Sequence, residues 1–302
     1  MRSILIVGGG DIARRTLPVL CGRYRLFVVV RDAAQMAFWR AHGAYPLPAD
    51  LDERRSLKRL SGLADIVLHF APPPRHGAGD ARMRRLLAAL ARAARPPGRI
   101  VYVSTSGVYG DCAGARVDET RPVHPATPRA RRRIDAERQL RRFGRTLGTA
   151  VSILRAPGIY AAGRLPLERL QRGVPALRSE DDVFTNHIHA DDLARLVCAA
   201  LRRGRPNRCY NACDNSELRM GDYFDQVADA FSLPRPPRIA RATAEGTLSA
   251  TQLSFMSESR RLDNRRLRRE LGVRLLYPQV AAGIAAARAE ACRQNMAEGM
   301  PQ

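Results

Sequence analysis

Lysine is almost absent from this chain: Lys58 stands alone among 51 basic residues in 302. Chemistry that relies on a lysine must find it at position 58 or proceed without one. No run of about 18 consecutive apolar residues occurs, which excludes a membrane-spanning helix. Met1-Arg2-Ser3 leads directly into an apolar strand pattern, leaving no room for a secretory leader, and a cytoplasmic setting is expected. The six cysteines are scattered, and Cys209 and Cys213, four apart, have no matching histidine pair. No metal site is expected from them; reduced core thiols are. Acidic residues are also short, 29 against 51 basic, for a formal charge of +22. Such an excess invites a nucleic-acid partner. The arginines, however, are spread over many segments, and the densest run, 129–145, is interleaved with one aromatic, Phe143. A solvated arginine-rich surface is the expectation, with nucleic acid an unlikely partner.

What is present begins at Ile4. The apolar run Ile4–Val7 feeds into Gly8-Gly9-Gly10, and the small Ala13 follows three positions later. This is the strand–turn–helix arrangement of a dinucleotide fingerprint, G-x-G-x-x-A. Gly8 allows the tight turn, Gly10 lets the backbone approach a pyrophosphate, and Ala13 lets the helix pack close to the strand. The phosphates would lie over the N–H groups at the start of that helix. A second apolar run, Leu26–Val30, ends in Arg31-Asp32, about twenty residues past the glycines. An acidic residue at this strand end suits the ribose 2′-hydroxyl of NAD, whereas an arginine can hold the 2′-phosphate of NADP. Arg31 favours NADP; Asp32 keeps NAD possible.

Strand and helix patterns then alternate. Ala44–Leu47 reads as a short strand, Asp50-Leu51 as the start of a polar helix, and Ala64–Phe70 as a buried parallel strand. The strand must stop at Ala71-Pro72-Pro73-Pro74, which places that loop at the C-terminal edge of the sheet. His69, inside the strand, reads as a packed core residue. Met83, Leu86, Leu87 and Leu90 recur at helical spacing, and Arg99–Ser104 is the next strand. A helix is expected over about 129–147, strands at Ala150–Arg155, Phe184–Ile188 and Arg208–Ala212, and a helix at Ala190–Leu201. Beyond these the pattern is helical (Tyr223–Phe231, Leu262–Leu271, Val280–Cys292), except for a Pro-, Ser- and Thr-rich loop around 234–259. This alternation predicts an α/β protein with a Rossmann-type doubly wound parallel sheet and a smaller C-terminal substrate-binding lobe. The expected division is a dinucleotide-binding domain at 1–155 plus 183–214, and a mainly helical lobe at 156–182 plus 215–302.

In order, the motifs Gly8–Ala13, Asp50-Leu51, Ala64–Pro72, Ser104–Gly110, Val117–Glu119, Leu154–Tyr160, Asn186–Leu193 and Asn264–Pro278 span nearly the whole chain. Taken together, they resemble the extended short-chain dehydrogenase/reductases, in the NAD-dependent epimerase/dehydratase branch that acts on nucleotide sugars, and look closest to an atypical subgroup. The resemblance implies cofactor contacts from Gly8, Gly10, Asp11, Ile12 and Ala13, then Arg31, Asp50, Leu51, Ala71, Pro72, Thr105, Arg133 and Pro157. It also implies a small-molecule substrate of the nucleotide-sugar kind, and a homodimer.

One departure matters more than the match. The family's chemistry uses a Ser or Thr together with a Tyr and, four residues later, a Lys on the following helix. Thr105 matches the hydroxyl, but counting back from Ala136-Glu137 puts Arg129 at the Tyr position and Arg133 at the Lys position. A guanidinium stays protonated and cannot cycle a proton, although Arg133 could still donate to the nicotinamide ribose hydroxyls. Proton transfer would then fall to Tyr109, Tyr160 or His189, each also readable as packing; His187 and His189 lead into a helix capped near Asp191. Thr105 and Tyr109 are the expected catalytic pair. An epimerase/dehydratase-like oxidoreductase is thus weighed against a regulator that senses NADP without chemistry and, more weakly, a basic nucleic-acid-associated protein.

Overall fold

A computed structural model describes residues 1–298. Its centre is a seven-stranded parallel sheet: β1 (Ser3–Val7), β2 (Arg25–Val30), β3 (Tyr45–Pro48), β4 (Ile66–His69), β5 (Arg99–Thr105), β6 (Ala150–Ala156) and β7 (Arg208–Asn211). Across the sheet the order is β7-β6-β5-β4-β1-β2-β3, each neighbouring pair parallel. The order reverses between β1 and β4, so the crevice outside their C-terminal ends is where a doubly wound sheet takes a ligand.

Both faces of the sheet are covered, which explains its unbroken apolar strands. Ile4 and Ile6 join one buried layer with Leu26, Val28, Leu193 and Val197. Leu5 and Val7 point the opposite way, into a second layer with Leu86, Leu140 and Ile153. The prolines at 46 and 48 are tolerated because β3 is the sheet's edge, where one row of backbone donors needs no partner. A third apolar cluster gathers around Tyr160, Tyr223, Phe224, Val227 and Ile284, beneath the helices Met220–Ala230 and Val280–Glu298.

Several sequence expectations need correction. The stretch Phe184–Ile188 is not one strand. Phe184–Thr185 pairs antiparallel with Leu218–Arg219, while His187–His189 pairs parallel with Gly158–Tyr160. Between them Asn186 spends its amide on the Arg260 carbonyl (2.9 Å) and the Leu262 N–H (2.7 Å), interrupting the run. Asp50-Leu51 begins no helix; its carboxylate closes a turn onto the Asp52 N–H at 2.8 Å, and a 3-10 helix follows only at Ser56–Leu60. The supposed loop 234–259 contains two helices, Arg241–Thr247 and Ala250–Phe255. Ser249 and Gln252 form a reciprocal capping box at the second, so a residue that reads as a loop former is a helix start.

Candidate functional site

Loops at the C-terminal ends of β1 to β6 enclose a cleft of about 450 Å³. Every residue expected to contact a cofactor lines it: Gly8 to Ala13 after β1, Arg31 after β2, Asp50-Leu51 after β3, Ala71-Pro72 after β4, Thr105 at the end of β5, Pro157 after β6, and Arg133 from the helix Pro128–Leu147. Gln35, Arg82, Ser104, Arg129 and Arg164 line it as well. Gln35, Arg82 and Arg164 belong to no motif, and only the tertiary fold brings them to the rim.

The glycine turn has two distinct constraints. Gly8 has φ +96°, and a Cβ there would lie 2.7 Å from the Ala71 nitrogen, so both backbone conformation and space require glycine. Gly10 has an ordinary φ of −81°, and a Cβ would meet nothing within 4 Å. Gly10 therefore borders open cleft rather than protein. No side chain caps the helix Asp11–Arg15 that follows, which leaves its first N–H groups without a side-chain acceptor.

At the end of β2 the two candidate ribose contacts diverge. Asp32 caps the helix Ala33–Ala41, accepting the Gln35 N–H at 2.8 Å and the Gln35 side-chain amide at 2.6 Å. Arg31 is exposed and faces the cleft with no carboxylate in ion-pair range among the described residues.

The helix Pro128–Leu147 brings two arginines to the other end. Arg133 is only 6% exposed. Its Nη1 donates to the Tyr102 hydroxyl (2.9 Å) and to the carbonyls of Val103 (2.9 Å) and Ala71 (3.5 Å), all uncharged acceptors. Its Nε is buried without a partner. Burial pushes the Tyr102 phenol up to about 12, although Arg133 opposes the shift. Arg129, one turn earlier, reaches solvent through the cleft and forms no ion pair among the described residues. Enclosure by the cleft walls, and then the Arg133 charge, lower its pKa. Arg82 and Arg164, by contrast, are paired with Asp52 (2.5 Å) and Asp11 (3.1 Å).

The expected catalytic pair does not stay together. Thr105 borders the cleft, and its Oγ1 accepts the Gly107 N–H at 3.2 Å, which leaves its own proton to donate. Tyr109 does not line the cleft. It is buried, its hydroxyl donates to Asn211 Oδ1 at 2.8 Å, and the Arg155 guanidinium lies 4.8 Å from its ring centroid. Burial raises its pKa, so no accessible phenolate is offered. Its 3-10 turn rotates the side chain inward, over the Ser104–Glu137–Arg155 network (Ser104 Oγ to Glu137 Oε1, 2.7 Å; Arg155 Nη2 to Glu137 Oε2, 2.8 Å).

Tyr160 and His189 are likewise buried outside the cleft lining. His189 Nδ1 accepts the Asp191 N–H at 3.2 Å, capping the helix Ala190–Arg203 as the capping alternative required. His69 is buried with its ring edge-on to Tyr102, and burial lowers its pKa to about 3. The cleft lining thus holds guanidinium, carboxylate, amide and hydroxyl groups, with no phenol, imidazole, amine or thiol among the described residues.

Comparison with known proteins gives the family and the fold. The chain matches the family described as NAD dependent epimerase/dehydratase over residues 4–213. Protein YeeZ of Escherichia coli K12 is 29% identical over 218 residues, 71% of this chain and 72% of that one. The structure of a functionally unknown conserved protein from Silicibacter pomeroyi is 30% identical with a TM-score of 0.78, covering 96% of this chain and 99% of that one. A UDP-glucose 4-epimerase from Thermotoga maritima, solved with UDP-glucose, shares the fold at a TM-score of 0.78 and 19% identity, covering 97% and 99%.

Proposed function

Because the chain belongs to the NAD dependent epimerase/dehydratase family, we propose that it binds NADP in the cleft beside a nucleotide-sugar-like ligand, with Arg129 and Arg133 standing where the family's Tyr and Lys act. The observation that carries this reading is the chemistry of the lining: arginines and an open glycine turn suited to phosphates, and no group able to cycle a proton as a lysine-tuned phenol does.

The residues fit a dinucleotide. The N–H groups after Gly10 would receive its pyrophosphate, and the open space at Gly10 admits it. Arg31 would hold the 2′-phosphate, with Asp32 withdrawn into its helix cap. Arg133, gripped through Nη1, would present the rest of its guanidinium to the nicotinamide ribose, and Thr105 would donate to a substrate oxygen. A bound nicotinamide supplies hydride transfer; the chain's own part is to orient the ligands and exclude water. The smaller lobe, 156–182 plus 215–302, would carry the rest of the substrate site, in a cytoplasmic protein that could pair as a homodimer.

General acid–base help is typically worth 10²–10⁴-fold in rate. Without the usual pair, turnover should be low while binding persists. This favours, as a second reading, a protein that senses NADP without chemistry. Calorimetric titration with NADP and NAD, followed by a nucleotide-sugar turnover panel, tests both. Absence of dinucleotide binding would defeat the two together, whereas robust turnover would leave the enzyme and remove the sensor.

A further inference from the structure

We infer that Arg129, one helical turn from the charge of Arg133, forms a second anion subsite in the cleft, distinct from the dinucleotide's phosphate positions, that takes the carboxylate or phosphate of a small-molecule ligand. The dinucleotide reading above enters only in assigning this anion to a second ligand rather than to the cofactor.

Two positive charges one helical turn apart face the same space with no carboxylate paired to either among the described residues. Arg133 is nine-tenths buried yet held only by neutral oxygens, and its Nε has no partner. Burying a guanidinium without a counter-charge is costly, and an oxyanion held by Arg129 one turn away would offset the Arg133 charge as well. Asp80 lies within electrostatic reach of Arg133, but its Oδ1 caps the helix Ala81–Leu90 through the Met83 N–H at 2.9 Å, and burial raises its pKa. Elsewhere on the rim, Arg82 and Arg164 already have aspartate partners, so the unsatisfied charge is concentrated at this pair and at Arg31.

Position separates the pair from the 2′-phosphate of the cofactor. Arg133 is anchored on the Tyr102 hydroxyl and the Val103 carbonyl of β5 and, at longer range, on the Ala71 carbonyl after β4, whereas the glycine turn follows β1 and Arg31 follows β2. In this sheet β5 is two strands from β1 and three from β2, roughly 10 and 14 Å at ordinary strand spacing. A 2′-phosphate on Arg31 would be too far away to neutralise Arg129 and Arg133. The glycine turn is nearer, since Gly8 packs on Ala71, whose carbonyl Arg133 also reaches at 3.5 Å, and the NADP-saturated measurement separates a pyrophosphate there from a second anion. Thr105, at the end of the same strand, has a hydroxyl proton free to complete the subsite.

The test is phosphate binding by the full chain at constant ionic strength, measured by calorimetry with and without saturating NADP. The variants are R129Q and the charge-preserving R129K; Arg129 is exposed, so both should fold, and R133Q is a supplementary variant. Wild type saturated with NADP should bind inorganic phosphate. R129Q should weaken that binding by about tenfold or more, R129K by less, and NADP affinity should change little in either. Phosphate binding that disappears on NADP saturation would show that the anion position is the cofactor's own and would overturn the inference. So would equal phosphate affinity in wild type and R129Q. If NADP fails to bind but phosphate binds the apo protein in an Arg129-dependent way, the dinucleotide reading falls and the subsite stands.

Discussion

The carboxylate of Asp32 accepts the backbone N–H of Gln35 at 2.8 Å, and this one bond removes the acidic candidate for the ribose from the cleft while Arg31 remains in it. Arg31→Ala should therefore weaken NADP selectively, by roughly tenfold or more for the loss of a charge-assisted contact, and leave NAD nearly unchanged. Asp32→Ala should cost about 0.5–2 kcal/mol of stability through the lost cap without altering cofactor preference. Paired titrations of both cofactors decide; equal NAD and NADP affinities in wild type would remove Arg31 from its role.

The glycine turn predicts two different failures. Gly10→Val places a side chain into open cleft and should abolish dinucleotide binding with the melting temperature largely kept. Gly8→Ala forces a Cβ against the Ala71 backbone at a positive φ and should destabilise the fold itself. Thermal melts with and without NADP separate the two. Normal cofactor stabilisation of a folded Gly10→Val would contradict the site.

Tyr109→Phe should lower stability by about 1 kcal/mol or more, because Asn211 Oδ1 loses its buried donor, and should not alter any turnover that is found. Thr105→Ala should do the reverse, since Thr105 borders the cleft. Turnover lost selectively in Tyr109→Phe would mean that the buried phenol takes part in the chemistry.

Asp214 is buried with Oδ2 unpartnered, and burial raises its pKa to about 7 from an ordinary 3.8. Between those values the folded state holds a proton that the unfolded state has lost, so this group makes stability fall as pH rises from about 4 to 7. His187 acts in the opposite sense. Its pKa is lowered to about 3 by burial, so the unfolded state takes up a proton first and stability falls as pH drops below about 6.5. Asp214→Asn should therefore gain stability relative to wild type as pH rises through this window, by at most about 4 kcal/mol. Urea melts at several pH values read this directly, and a pH-independent difference would refute it.

The net charge of +22 should give only weak, salt-sensitive attachment to nucleic acid. Tyr45 is the one aromatic among the strongly exposed large apolar side chains of the described residues, which leaves little on which bases could stack. Nanomolar, sequence-dependent binding at physiological salt would overturn that expectation.

The cleft's frame was legible from residue order because it is built from local rules. A strand pattern running into Gly8-Gly9-Gly10, prolines stopping the chain after β4, and apolar runs long enough for a sheet covered on both faces each act over a few neighbouring residues. That Arg129 and Arg133 lie one turn apart on a single helix was equally legible, since it depends on identity and spacing alone. The capping box at Ser249 was hidden because serine serves loops and helix starts alike.

Side-chain destinations belonged to the tertiary structure. Tyr109 turns inward because Asn211, 102 residues away in sequence, waits with an acceptor. Arg133 is buried because Tyr102 and the Val103 carbonyl on β5 and the Ala71 carbonyl after β4 converge on its Nη1. Local sequence sets where the backbone turns. The direction in which a charged or phenolic group points is set by partners that only long-range packing brings within about 3 Å, and that is why the sequence determined the fold and the glycine turn, while only the folded chain decided which of its candidate residues face the cleft.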